Sequence, residues 1–162
     1  MRLTFLAVAV TWWGAGGLVA SAQTNSLHRS VSVSRQFICY AVHPLVPTAL
    51  GYLAEQVKRE WLRTLDLRDQ WRDPILLVVE SATPPATPSG PRLRVFQTDL
   101  HLKYQISWTS PPGVDQSTLV AALVEALNAE WTNRKQPLSR STPYVAPPQP
   151  LWLTLGLARV LQ

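Results

Sequence analysis

The sequence predicts a single α+β domain behind a secretion signal, with a small mixed or antiparallel sheet and about three packed helices. The 162 residues suffice for one domain. With 46% hydrophobic and only 15% charged residues, the chain is too apolar to be disordered. Apolar patterns follow one another as strand, helix, strand, hairpin, helix, helix, without an internal repeat.

Residues 1–22 resemble a signal peptide. Arg2 supplies a positive start, Leu3 to Val10 are nearly all apolar, and Ala20-Ser21-Ala22 offers small residues for cleavage after Ala22. An uncleaved anchor is the alternative, but glycines interrupt the apolar run, which falls short of the ~20 residues of a spanning helix. We expect an exported protein, periplasmic or extracellular, with no transmembrane segment after cleavage.

Residues 23–35 are polar and Ser-rich, which predicts a flexible lead-in, and the α+β domain is expected over 36–162. Gln36 to Val42 forms the first predicted strand. It holds the only cysteine, Cys39, which we interpret as a small buried hydrophobe. One cysteine excludes an internal disulfide framework and a zinc site with two thiolates.

An amphipathic helix follows, with Pro47 in its first turn. Its apolar residues recur at helical spacing: Leu50, Leu53, Ala54, Val57, Trp61 and Leu65. The charged residues between them are expected on the wet side: Glu55, Lys58, Arg59 and Arg63.

Three further strands are predicted. Ile75 to Val79 is a short continuous apolar run, typical of a central strand covered on both faces. Arg92 to Gln97 and Leu100 to Trp108 form a predicted hairpin around residues 97–99. In the second of these, apolar and polar residues alternate strictly, which predicts one dry face.

Two helices complete the domain. Asp115 or Ser117 caps the first, whose apolar ridge is Leu119, Leu123, Leu127 and Trp131. A Pro-rich basic connection from Asn133 to Pro150 leads to a third helix, Leu151 to Leu161, apolar nearly all round and therefore expected to be mostly buried.

Few residues are candidates for chemistry. No two histidines have metal-ligand spacing, and GxSxG, Walker and GxGxxG motifs are absent. We interpret His43 as a loop residue, His101 as solvated, and Ser117 as a cap. Glu125 and Glu130 diverge around a helix and are expected to be solvated. The sequence therefore assigns no catalytic, metal-binding or cofactor-binding residue.

The basic balance, with a net charge of +5, does not predict nucleic-acid binding. Arg59, Arg63, Arg68 and Arg72 lie among acids, unlike the one-sided basic stripe that nucleic acid requires. Arg134, Lys135 and Arg140 form only a weak cluster. Trp71 lies in a charged loop and is left unassigned. Four other tryptophans fall on apolar faces and are expected in the core: Trp61, Trp108, Trp131 and Trp152.

Together with this order of elements, the segment Pro150-Leu151-Trp152-Leu153-Thr154-Leu155-Gly156-Leu157-Ala158 resembles the gluzincin-type zinc metallopeptidase-like domains (the peptidase MA group). In that family a helix bearing HExxH precedes a helix of the form P-x-W-L-x-E-G-L-A, whose Glu is the third zinc ligand. The resemblance spans roughly Gln36 to Gln162 in element order, but its motif matches only a few residues.

The ligand positions of that family carry other residues here. Leu155 stands where the third-ligand Glu would be. The best placement of HExxH puts Ala121 at the first His, Ala122 at the general base and Glu125 at the second His. Alanine and leucine can neither bind zinc nor activate water. The resemblance therefore implies a degenerate, catalytically inactive relative, or a truncated one.

These observations predict an exported, non-enzymatic domain without a cofactor, serving a binding or structural role in the cell envelope. Its partner would be an envelope protein or polymer. Two alternatives stay open: an envelope-polymer or carbohydrate-binding module using exposed Trp and Arg, and a hydrolase whose site we do not recognise.

Overall fold

A computed structural model describes residues 26–81, 90–98, 101–110 and 115–134, together with Gly156, Ala158 and Arg159. It shows one mixed five-stranded sheet with two helices packed against it, so the predicted α+β class is confirmed. The elements in chain order are β1 (His28–Val31), β2 (Phe37–Ala41), α1 (Val46–Thr64), β3 (Ile75–Ser81), β4 (Arg92–Thr98), β5 (His101–Ser110) and α2 (Gln116–Asn133).

The sheet has the strand order β1-β2-β3-β5-β4. The three inner strands are parallel, and each edge strand runs antiparallel to its neighbour. Helix α1 makes the crossover that parallel neighbours β2 and β3 require. The apolar run of β3 lies at the centre, as predicted, and β4 and β5 form the predicted hairpin. The residues between them, 99–100, lie outside the described part.

Strand β1 was not predicted, because its residues fall within the segment 23–35 that we expected to be a flexible lead-in. His28 pairs with Ala41, and Val31 pairs with Ile38. An edge strand bonds to one neighbour only and needs little apolar surface, so a polar sequence can form it. The turn into β2 places Arg35 in the left-handed region, with φ 61°.

Helix α1 begins and ends as its sequence indicates. Pro47 lies in the first turn, where its missing N–H costs nothing. At the other end Asp66 has φ 50°, and Leu67 N donates to Leu62 O at 2.9 Å, which satisfies a terminal carbonyl. Two expectations for this helix are wrong. Lys58 was placed on the wet side, but it is only 1% exposed, and Leu65 was placed on the apolar face, but it lies just beyond the helix and is exposed.

Helix α2 is more deeply buried than α1. Asp115 caps it by accepting a hydrogen bond from Ser117 N at 3.2 Å. Eleven of its eighteen residues are buried, more than the predicted ridge requires, because it contacts both α1 and the sheet. Of the third predicted helix, 151–161, only three residues are described. They are helical, and the side chain of Ala158 is buried in the core.

The two faces of the sheet differ. We call the face packed by α1 and α2 the helix face. Its strand residues are buried: Phe37, Cys39, Ala41, Ile75, Leu77, Val79, Leu102, Tyr104, Ile106 and Trp108. The opposite face, here called the open face, carries half-buried apolar residues at its centre: Ile38, Tyr40, Leu76 and Val78. No described helix covers them. Within the described residues, helices therefore cover β3 on one face only, and Leu76 and Val78 on the other face are half-buried.

Candidate functional site

In the middle of α2 only one stripe of side chains is partly exposed. Two of the positions matched to HExxH, 121 and 125, lie on that stripe. Ala121 and Glu125 are half-buried and stand four residues apart, hence on one face of the helix, while Ala122 is buried. Burial raises the pKa of the Glu125 carboxyl above its ordinary value, and no described residue pairs with it. The expectation that Glu125 is solvated was therefore wrong in part.

This set of residues does not fit a zinc ion. A catalytic zinc site needs three protein ligands and a base for the bound water. Methyl groups at positions 121 and 122 offer no donor atom, and Glu125 supplies a single carboxylate whose burial raises its pKa by disfavouring the charged form. Leu155 lies outside the described residues. Within those residues, no three His, Cys, Asp or Glu side chains come together as a metal site would require.

The histidines and Ser117 behave as simple surface groups. His43 Nδ1 accepts a hydrogen bond from Leu45 N at 3.4 Å in an exposed loop. His101 is 63% exposed, and its Nδ1 lies 3.3 Å from Asp73 Oδ1. Ser117 bonds to the capping carboxylate of Asp115. Cys39 is buried and desolvation raises its pKa to about 12, so a thiolate is not available there.

Where the two helices meet the loop after α1, the structure builds an aromatic cluster of Trp61, Trp71 and Trp131. The ring of Trp61 lies 5.8 Å from that of Trp71 and 6.1 Å from that of Trp131. Trp61 Nε1 donates to Asn128 Oδ1 at 3.0 Å, which ties α1 to α2. The guanidinium of Arg134 lies over Trp131, 4.1 Å from its centroid, and over Trp71 at 5.0 Å.

Glu130 anchors this cluster, contrary to the expectation that it is solvated. It is 1% exposed, forms an ion pair with Arg134, and accepts a hydrogen bond from Arg72 N at 3.0 Å. Arg134 also donates to Gln70 O. The carboxylate is thus fully engaged in holding the loop 70–72 against α2. The Glu130 carboxylate therefore has a structural role. Helix periodicity could not have predicted its contact with Arg72, because that residue lies on a distant loop.

A second buried ionic group joins α1 to its surroundings. Lys58 Nζ lies 3.2 Å from Glu55 Oε2 and 3.1 Å from Asp69 Oδ2. Burial opposes ionisation of Glu55, but hydrogen bonds from Ser32 and Ser34 and the ammonium of Lys58 outweigh it, so its pKa lies below the ordinary value. This group clamps the β1–β2 turn and the loop after α1 onto one helix.

The described tryptophans do not make a flat exposed platform. Trp61 and Trp108 are buried, as predicted, and Trp71 and Trp131 pack against the core with part of each ring covered. Trp152 lies outside the described residues. A cleft of about 330 Å³ does open between α1 and the start of α2, with an apolar floor at Leu53 and Val57 and carboxylates at its rim.

The open face of the sheet gathers cations that the sequence analysis did not connect. Strand register places Arg29 beside Tyr40, Arg92 beside Ser107, Arg94 beside Gln105 and Lys103 beside Phe96, all on this side of the sheet. The four basic side chains are exposed. None of them forms an ion pair with a described residue.

Comparison with known proteins yields no relative: no family model, no curated protein and no solved structure matches this chain. Neither helix of the described residues combines the length and apolarity needed to cross a bilayer.

Proposed function

We propose that the chain is an exported, non-catalytic domain of the cell envelope, a metallopeptidase-like scaffold that has lost its metal and works by binding another molecule. One observation carries the proposal. The helix that would hold the zinc ligands presents Ala121, Ala122 and a half-buried Glu125 with a raised pKa at the matched positions. The chemistry of these side chains favours packing over metal binding.

The other buried carboxylates support the same proposal. Glu130 is held by Arg134 and Arg72, and Glu55 by Lys58 and Ser34. A carboxylate that is paired and hydrogen-bonded in the folded state is occupied by structural contacts, which leaves it ill placed to exchange a proton with a substrate. A carbohydrate platform is not favoured, because the described Trp rings are wholly or partly covered.

A restoration experiment tests the scaffold and the missing metal together. The quadruple variant Ala121→His, Ala122→Glu, Glu125→His, Leu155→Glu rebuilds the family's ligand set. We expect the natural protein to carry no stoichiometric zinc after incubation and dialysis, and the folded variant to bind one zinc ion per chain, measured by plasma mass spectrometry. A control variant, Gln56→His with Glu60→His, creates the same spacing on α1 without a third ligand and should bind far more weakly.

The outcomes separate the two halves of the proposal. Stoichiometric zinc in the natural protein would overturn the non-catalytic assignment. If the quadruple variant keeps its circular dichroism but binds zinc no better than the α1 control, the likeness to the metallopeptidase scaffold is wrong. A fluorogenic peptide library should meanwhile remain uncleaved by the natural protein.

A further inference from the structure

The open face gathers cations with few carboxylates beside them, whereas several charges of the helix layer are paired. On the helix layer Glu55, Glu60 and Glu130 form ion pairs with Lys58, Arg63 and Arg134. On the open face Glu80 is the one carboxylate that the described strands contribute, against four basic residues. Four cations on one sheet face, without ion-pair partners among the described residues, repel one another and create a positive field over it.

Their arrangement leaves an apolar centre between two charged edges. One row across the sheet reads Arg29, Tyr40, Val78, Ser107 and Arg92. Strands lie about 4.8 Å apart, so the two arginine backbones stand roughly 19 Å from each other, with Tyr40 and Val78 between them. The next row reads Val31, Ile38, Leu76, Gln105 and Arg94, with three apolar residues at one end and the cation at the other.

This pattern matches one half of a protein–protein interface. Such interfaces have an apolar centre, with charged groups confined to a solvated rim. Phe96 is 43% exposed and Val31 is 38% exposed, so apolar surface extends toward both edges of the face. A bilayer would require apolar side chains projecting above the cations, whereas Ile38, Tyr40, Leu76 and Val78 are half-buried at the level of the sheet.

We propose that the open face docks a protein partner whose own surface has an apolar centre bordered by Asp and Glu side chains. The proposal rests on the proposed function, because it names the kind of partner that the non-catalytic domain binds. The field of Arg29, Arg92, Arg94 and Lys103 steers the acidic border of the partner and fixes its orientation. Contact with Tyr40, Val78 and Phe96 then supplies the buried apolar area.

A random copolymer of glutamate and tyrosine serves as the probe, with polyglutamate, dextran sulfate and phosphatidylglycerol vesicles for comparison. Fluorescence anisotropy of the labelled polymers and vesicle co-sedimentation report binding to the purified protein. We expect the copolymer to bind more tightly than polyglutamate, and both to weaken as salt is added. Vesicles and dextran sulfate should bind no better than polyglutamate.

Two variants and one control localise the binding. Arg92→Glu with Arg94→Glu should weaken copolymer binding by about tenfold or more, because it reverses the rim charge on one edge. Phe96→Ser should remove most of the preference for the copolymer over polyglutamate while leaving polyglutamate binding intact. Arg59→Glu with Arg68→Glu makes the same change in net charge on exposed residues of α1 and its following loop, and should leave affinity within about twofold.

The proposal fails if no probe binds, or if the Arg59 and Arg68 control weakens binding as much as the open-face variant, since net charge alone would then explain it. It also fails if vesicles or dextran sulfate bind as tightly as the copolymer and Phe96→Ser changes nothing, which would indicate a membrane or polymer surface. Zinc in the natural protein would overturn the proposed function without altering any of these binding results.

Discussion

The two faces of the sheet share the same strands but differ in burial and in the pairing of their charges. On the helix face every second residue of β2, β3 and β5 is packed into a dry core, and the acids and bases of the helices above it are largely paired. On the open face the intervening apolar residues are only half-buried, and the cations beside them form no ion pair with a described residue. Among the described residues, tight packing is therefore concentrated on one side of the sheet, and the proposed docking surface lies on the other.

Adjacent leucines of β3 provide the sharpest test of this contrast. Leu77 is fully buried on the helix face, and Leu76 is half-buried on the open face. Leu77→Ala should lower the free energy of unfolding by about 4 kcal/mol, since it opens a cavity in a dry core. Leu76→Ala should cost about 1 kcal/mol, because less apolar area is lost. Urea denaturation of both variants measures the difference, and equal losses would mean that both faces are covered alike.

Glu130 tests whether the helix layer depends on its buried ion pair. Glu130→Gln leaves the largely buried guanidinium of Arg134 without its counter-charge, and should cost about 3 kcal/mol. The matched control Glu60→Gln breaks the exposed pair with Arg63, whose atoms lie 2.5 Å apart, and should cost less than about 1 kcal/mol. Thermal unfolding of both proteins checks this. A cost for Glu130→Gln no larger than the control's would place Glu130 in solvent.

Two glutamates of the helix layer should respond to pH in opposite directions. The pKa of Glu55 is lowered in the fold, so its contribution is present above the unfolded pKa and is lost as pH falls through the folded one. The pKa of Glu125 is raised, so its contribution is full below the unfolded pKa and is lost as pH rises through the folded one. At pH 7, Glu55→Gln should therefore lower the melting temperature, and Glu125→Gln should raise it.

Melting curves between pH 3 and pH 8, a range that spans the ordinary titration of carboxyl groups, measure these changes in melting temperature. The gain from Glu125→Gln should disappear once the pH is below the unfolded pKa. The loss from Glu55→Gln should shrink as the natural carboxyl becomes protonated in the folded state. Shifts of the same sign in both variants would contradict the environments described for these two side chains.

The smallest effect on stability is expected on the open face. Arg92→Gln with Arg94→Gln should change the free energy of unfolding by less than about 0.5 kcal/mol, because both side chains are exposed and without a partner among the described residues. Urea denaturation compares the variant with the natural protein. A loss above 1.4 kcal/mol, a factor of about ten in the folding equilibrium, would show that these arginines hold the fold together.

Much of the fold could be predicted because periodicity is a local property. The alternation from Leu102 to Trp108 identified the dry face of β5, and helical spacing identified α1 through Ala54, Val57 and Trp61. Residue chemistry narrowed the cap of α2 to Asp115 or Ser117, and the structure gives Asp115 that role, with Ser117 inside the helix. By contrast, β1 escaped prediction, because a short polar edge strand differs little in sequence from a flexible segment.

The candidate site was harder to predict from the sequence than the fold. The lack of ligands at positions 121 and 122 was clear from the sequence, but the surroundings of Lys58 and Glu130 were predicted wrongly. Both lie on helices whose local pattern suggested solvent. Their burial depends on Asp69 and on the loop 70–72, which fold back onto the helices from elsewhere in the chain. Trp71 could not be assigned for the same reason, since its contacts are with α1 and with Arg134.

The sequence by itself determined the class of fold, most of the elements and the identity of the residues at the matched metal positions, because each of these depends on neighbours within a few residues. Only the tertiary structure decided which charges are buried as pairs and which gather on one sheet face without an ion-pair partner among the described residues. Arg29 and Arg92 are far apart in the chain, and strand register alone brings them into one row across the open face. Register is set by packing of the whole sheet against its helices, which no local pattern encodes.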